Sequence, residues 1–142
     1  MRMVVLAVGK LKDPHVEALC MEYERRARSF LPIERFACRD TATSWSRAES
    51  SGGRVVVLDE RGEQPSSPGL ARWLGTWRDQ GVRSVSWLIG GADGFEDEDR
   101  QRADRVLSLS TLTLPHRLAQ MMLCEQLYRA GTILAGHPYH HG

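Results

Sequence analysis

Three of the chain's five histidines fall in its last six residues, His137-Pro138-Tyr139-His140-His141-Gly142. Imidazole changes charge near neutral pH, so such a cluster can move protons, bind a base or hold a metal. No Cys, Asp or Glu stands at ligand spacing to complete a zinc site. Three readings stay open: a metal site, Tyr139 and His140 folded back over a pocket as proton-handling or base-contacting groups, and a frayed end. A second chemical stretch is S-L-S-T-L-T-L-P-H at 108–116. Leu107, Leu109, Leu112 and Leu114 can be buried there, while Ser108, Ser110, Thr111 and Thr113 offer hydroxyls and backbone groups. The segment is either a ligand wall or a buried strand closed by the turn at Pro115. The turn Gly90-Gly91-Ala92-Asp93-Gly94 lets backbone approach a ligand closely. It is not a dinucleotide fingerprint, since G-x-G-x-x-G would need glycine where Ile89 stands. The acidic run Glu96-Asp97-Glu98-Asp99 suits the dipole at a helix N-terminus and needs no ion.

The elements that must position these residues alternate along the chain. Residues 3–8 read as a strand buried on both faces. A helix follows, with Asp13 as N-cap and Pro14 in its first turn; Val16, Leu19, Cys20, Tyr23 and Ala27 share its inner face. Its outer arginines, Arg25, Arg26 and Arg28, read as a solvated face or as contacts to RNA phosphates. After Pro32 comes a strand at 33–38, then a Ser, Thr and Gly-rich stretch at 39–53 that reads as a loop. Residues 54–59 are a buried strand and 60–65 a polar loop after its C-terminal end, where open α/β sheets bind ligands. A helix opens at Ser66-Ser67-Pro68, with Leu70, Trp73, Leu74 and Trp77 as core. Strands are expected at 84–89 and 106–109, and helices from about Glu96 and over 115–134. Strands alternating with helices predict an α/β fold, a mostly parallel sheet with helices on both faces. The last helix is apolar around most of its circumference, so one face suits the sheet and another a partner chain, which makes a homodimer the expectation.

The length of 142 residues predicts one domain over 1–142. With 19 Lys+Arg against 18 Asp+Glu, net charge points to neither a nucleic-acid binder nor an acidic tail, although a local basic patch is compatible with it. Cys20, Cys38 and Cys124 are odd in number and lie in apolar surroundings, as reduced cytoplasmic thiols do. The apolar N-terminal run is too short for a signal segment, and Glu125 and Arg129 interrupt the last helix, so no membrane partner is expected.

Taken together, V-G-K-L-K at 8–12, E-Y-E-R-R at 22–26, V-L-D-E-R-G at 57–62, L-I-G-G-A-D-G-F at 88–95, S-L-S-T-L-T-L-P-H at 108–116, E-Q-L-Y-R-A at 125–130 and H-P-Y-H at 137–140 resemble the ribosomal RNA large subunit methyltransferase H family of the SPOUT class. The strings occur in order over nearly the whole chain. The resemblance implies a C-terminal deep trefoil knot, S-adenosylmethionine as methyl donor, no metal, and a homodimer whose active site uses both chains. It places the cofactor at Leu58, Gly90, Leu109, Ser110, Thr111, Leu112, Thr113 and Leu114. The implied substrate is the N3 position of a pseudouridine in helix 69 of 23S ribosomal RNA, on the assembled ribosome. His140 becomes the candidate base or, equally, a group that positions the substrate, with Tyr139 orienting the uracil face and His116 structural beside Pro115.

Two departures from the family pattern stand out. The stretch 41–53 is shorter than the family segment, which usually carries a helix. The tail ends in His141-Gly142 rather than in a basic residue after Y-H, and imidazole is only partly charged near neutrality. The altered tail motivates the alternative of a ribosome-binding or assembly protein that keeps the fold with weakened catalysis. A generic nucleotide-binding module would explain the glycine turn but not the 108–116 run.

Overall fold

The computed structural model describes residues 1–141; Gly142, the last residue of the histidine tail, lies outside them. Ten elements alternate, one more than expected: β1 (Arg2–Val8), α1 (Pro14–Ala27), β2 (Ile33–Cys38), α2 (Thr41–Ser51), β3 (Arg54–Glu63), α3 (Ser67–Asp79), β4 (Ser84–Ile89), α4 (Asp97–Arg102), β5 (Arg105–Leu107) and α5 (His116–Leu134). The strands form one sheet in the order β2-β1-β4-β3-β5. Every pairing is parallel, so all five C-terminal ends reach the same edge.

The strand period of two divides the core. Met3, Val5 and Ala7 of β1 point into one cluster, which holds Val85, Trp87 and Ile89 of β4 and is covered by α1, α3 and α5. Val4 and Leu6 point the other way, toward Leu88, Trp45 and Phe95. Both faces are therefore apolar, which is why β1 and β4 read as unbroken hydrophobic runs rather than alternating ones. All three cysteines are buried and unpaired by disulfides. Cys20 and Cys124 lie in the first cluster and Cys38 in the second.

The caps at Asp13 and Ser66 are as the residues predict: Asp13 accepts from the His15 and Val16 amides, and Ser66 from the Gly69 amide. The stretch expected to be a loop at 39–53 is instead α2. Asp40 caps it by accepting from the Thr43 amide, and it buries Ser44, Trp45 and Ala48. Its serines and threonines gave no helical period, yet Trp45 and Ala48, three residues apart, are its core face. The shortened segment therefore still carries a helix. Trp45 Nε1 donates to Asp99 Oδ1 at 2.8 Å, tying α2 to α4. Two strand bounds also shift. β3 runs on to Glu63, beyond the expected end at Asp59, because it meets β5 again at Glu63–Leu107 after an irregularity. β5 stops at Leu107, so Leu109 is freed from the sheet.

Candidate functional site

At the common C-terminal edge of the sheet lies a cleft of about 760 Å³, a size that accommodates a nucleotide-sized molecule. Val8, Ile89 and Leu107, the last residues of β1, β4 and β5, line it together with Leu58 of β3. Its walls come from the β4–α4 turn and the β5–α5 connection. In a parallel sheet this is where the chain leaves the strands and can be varied without disturbing their ladder.

The β4–α4 turn presents backbone because a side chain would not fit. A Cβ at Gly90 would meet Phe95 Cε2 at 3.1 Å and Gly94 at 3.3 Å, and Gly94 itself has φ +67°. Arg100 fixes this turn from outside, donating to Asp59 Oδ2 and to the Phe95 carbonyl, both at 2.9 Å. The acidic run serves α4 itself: Glu96 and Asp99 form a reciprocal capping box at its N-terminus.

The 108–116 segment holds its shape by its own hydroxyls. Buried Ser108 donates from Oγ to the Ser110 carbonyl at 2.9 Å and accepts from Gln64 Nε2 at 3.1 Å. Ser110 Oγ accepts from the Leu112 amide at 3.0 Å, and Thr113 Oγ1 donates to Glu60 at 3.3 Å. These bonds spend hydroxyls on the loop and turn Leu109, Ser110, Leu112, Thr113 and Leu114 toward the cleft beside Leu58 and Gly90. Leu112 is 71% exposed there, an apolar wall open to solvent. Thr111 is the one residue of the predicted set that does not line the cleft; it is exposed outside it. Residue types alone missed Asp59 and Lys10, which also line it, whereas Glu60 lies in the polar loop expected there.

His116, at the start of α5, faces the same cleft. Its Nε2 is buried with no hydrogen-bond partner, and burial pushes its pKa down. The imidazole is therefore neutral at physiological pH.

Residues 137–140 of the C-terminal tail are packed and lie outside this cleft. Tyr139 packs edge-on against Tyr128 with centroids 4.6 Å apart, and His137 against Phe30 at 5.5 Å. The Tyr139 hydroxyl donates to Glu125 Oε1 at 3.1 Å. Burial, reinforced by the Glu125 carboxylate, pushes this phenol's pKa up to about 12. Arg129 pairs with Glu125 at 2.6 Å, lies over the Tyr139 ring and donates to His140 Nδ1 at 3.0 Å. A guanidinium only donates, so Nδ1 must accept and the proton of neutral His140 sits on Nε2. That nitrogen is buried and unpartnered. In that tautomer His140 presents an N–H at Nε2. Glu125 and Arg129 looked like mere interruptions of an apolar helix; their four-residue spacing on one face was the signal for a paired support. Among the described residues, no three His, Cys, Asp or Glu side chains gather as a metal-binding group.

Tail and cleft sit at different heights on α5. The cleft touches that helix at His116 and Ala119, whereas Glu125 and Arg129 lie six and ten residues beyond Ala119, about 9 and 15 Å along the axis.

Residues 1–140 match the family described as "Predicted SPOUT methyltransferase". A protein of Geobacter metallireducens named "Ribosomal RNA large subunit methyltransferase H" is 40% identical, with 99% of each chain covered. One of the same name from Pelobacter propionicus is 42% identical, over 99% of this chain and 100% of the relative. Both alignments span 153 positions, more than the 142 residues here, so the relatives carry insertions. Among solved structures, a probable methylase family protein from Haemophilus influenzae has the same fold at a TM-score of 0.59 and 9% identity, over 95% of this chain and 66% of that one.

Proposed function

The chain belongs to the SPOUT methyltransferase family, and from this we propose that it methylates large-subunit ribosomal RNA with S-adenosylmethionine as donor. The finer reading is transfer to N3 of a pseudouridine in helix 69 of 23S RNA within the assembled ribosome, by a cytoplasmic homodimer of one-domain chains spanning 1–142. We read the connection after β5 as part of the deep trefoil knot that the resemblance implies. The observation that carries the proposal is the convergence of Leu58, Gly90 and most of 109–114 on one cleft.

The cleft suits the donor chemically. Leu58, Leu109, Leu112 and Leu114 offer apolar faces for an adenine, and the tight Gly90 turn offers backbone groups to its edge. Glu60 favours a sulfonium charge. Bound there, the donor would supply a methyl group on a cationic sulfur: the S–CH3 bond breaks as the N–CH3 bond forms, and the N3 proton leaves. The protein's part is to align the acceptor nitrogen and exclude water. The His140 Nε2–H, aimed by Arg129, donates to a uracil carbonyl oxygen and stabilises the charge the ring gains as N3 gives its proton to water. Tyr139, held by Glu125, orients the uracil face. Since tail and cleft are apart within one chain, the tail serves the cleft of the partner subunit.

Ribosomes lacking the modification, incubated with radiolabelled S-adenosylmethionine, test this reading. Label should enter the 23S RNA. His140→Ala should abolish incorporation while calorimetric donor binding persists, and His140→Gln, which restores a donor, should recover part of it. Absence of donor binding by the unaltered protein overturns the reading. The alternative, a ribosome-binding protein with weakened catalysis, is favoured by His141 standing where a permanent cation is usual. Co-sedimentation with ribosomes without incorporation would select it.

A further inference from the structure

The chain has 17 arginines but only two lysines, Lys10 and Lys12, both in the turn between β1 and α1. Among the described residues, most arginines reach a carboxylate within 4 Å and neither lysine does. Both border a second hollow of about 490 Å³, which Arg117 and His116 complete from α5. Lys10 and His116 line this hollow and the main cleft alike, so the two meet there. Asp13, the one carboxylate among the described residues that line the hollow, is already used: Oδ1 caps α1, accepting from His15 and Val16, and Oδ2 lies 3.6 Å from Arg117. Among the described residues, the two ammonium groups are therefore left without a counter-charge. Beside them, the unpartnered Nε2 of His116 is a buried polar atom without a protein partner. The main cleft carries Glu60 and Asp93, and an Asp59 already paired with Arg100 and Arg61. A polyanion is attracted at the lysine end.

We propose that Lys10, Lys12 and His116 form a phosphate-binding subsite that takes a backbone phosphate of the substrate RNA next to the target nucleotide. An ammonium is a compact charge on a flexible stem and suits a phosphate whose exact position varies, whereas an arginine fork demands a fixed geometry. The hollow adjoins the methyl-donor cleft, so a phosphate held here sets the distance from the RNA backbone to the reacting base. Contacts of this kind position the chain without reading its sequence.

This inference rests on the RNA methyltransferase reading, and two separate measurements distinguish them. The first is binding of full-length protein to ribosomes, titrated at several salt concentrations without donor. Lys12→Ala should weaken binding about tenfold and reduce the slope of log affinity against log salt by about one. Lys12→Arg should restore most of both. The second is calorimetric affinity for S-adenosylmethionine, which should not change in Lys12→Ala. Both lysines are exposed, and an unchanged melting temperature verifies that folding is intact. Loss of donor affinity with RNA binding unchanged would assign the lysines to the donor's carboxylate and overturn the proposal. So would an unchanged salt slope. If the unaltered protein binds ribosomes but transfers no methyl group, the methyltransferase reading fails while the salt titration still decides the lysine subsite.

Discussion

At the scale of residues, the two histidines that matter are defined by what holds or fails to hold them. His140 is legible in the sequence as a candidate, but its role is not, because the tautomer is set by Arg129, eleven residues away, through an approach that no spacing rule reveals. His116, beside Pro115, is a neutral imidazole on the cleft wall. Its pKa in the folded chain lies below the ordinary 6.5, so the unfolded chain binds the proton more tightly. The stability this contributes is complete above 6.5 and is lost as pH falls through the lower folded value. The melting temperature should therefore drop as pH is lowered from 7 to 5, and His116→Gln should flatten that dependence. An identical slope in the variant would show that other groups carry it. On the outer face of α1, Arg25 and Arg26 both pair with Glu22 on the same helix.

At the scale of elements, β1, β4 and the capped helices α1 and α3 were legible because burial on both faces and N-terminal Asp-Pro or Ser-Ser-Pro signals are local. α2 was hidden because its stability is tertiary. Trp45 is buried against β1, β2 and β4, and its indole N–H reaches Asp99 of α4. Trp45→Ala should cost about 3–5 kcal/mol in urea denaturation. Trp45→Phe, which keeps most of the volume and loses the hydrogen bond, should cost about 1 kcal/mol plus a smaller packing loss. Equal costs for the two would mean that α2 is held by the polar tie rather than by burial. The cleft residues were legible as a set but not as a surface. β5 ends at Leu107, and that early end is what releases Leu109 and Ser110 from the ladder to face a ligand.

At the scale of the molecule, a site built from one chain's cleft and the other's tail makes a prediction about mixtures. His140→Ala destroys a tail and leaves a cleft; Leu112→Trp, at the exposed cleft wall, obstructs a cleft and leaves a tail. Unfolded and refolded together in equal amounts, the two inactive proteins should regain about a quarter of normal methyl transfer, since half the dimers are mixed and each has one intact site. No recovery would place tail and cleft in the same chain. The sheet that supports both was foreseeable from the alternation of strands and helices, whereas its order, with β4 between β1 and β3, depends on long-range packing that no local pattern records.

The three cysteines amount to a built-in clock for the opening of the native state. Cys20 and Cys124 are sealed between α1 and α5 on one side of the sheet, and Cys38 is sealed on the other. A thiol reagent can reach none of them until a layer lifts away, so labelling rates followed by mass spectrometry would time the two sides separately. One common rate would mean that the layers open as a unit, and faster modification of Cys38 would identify the α2 side as the part that yields first.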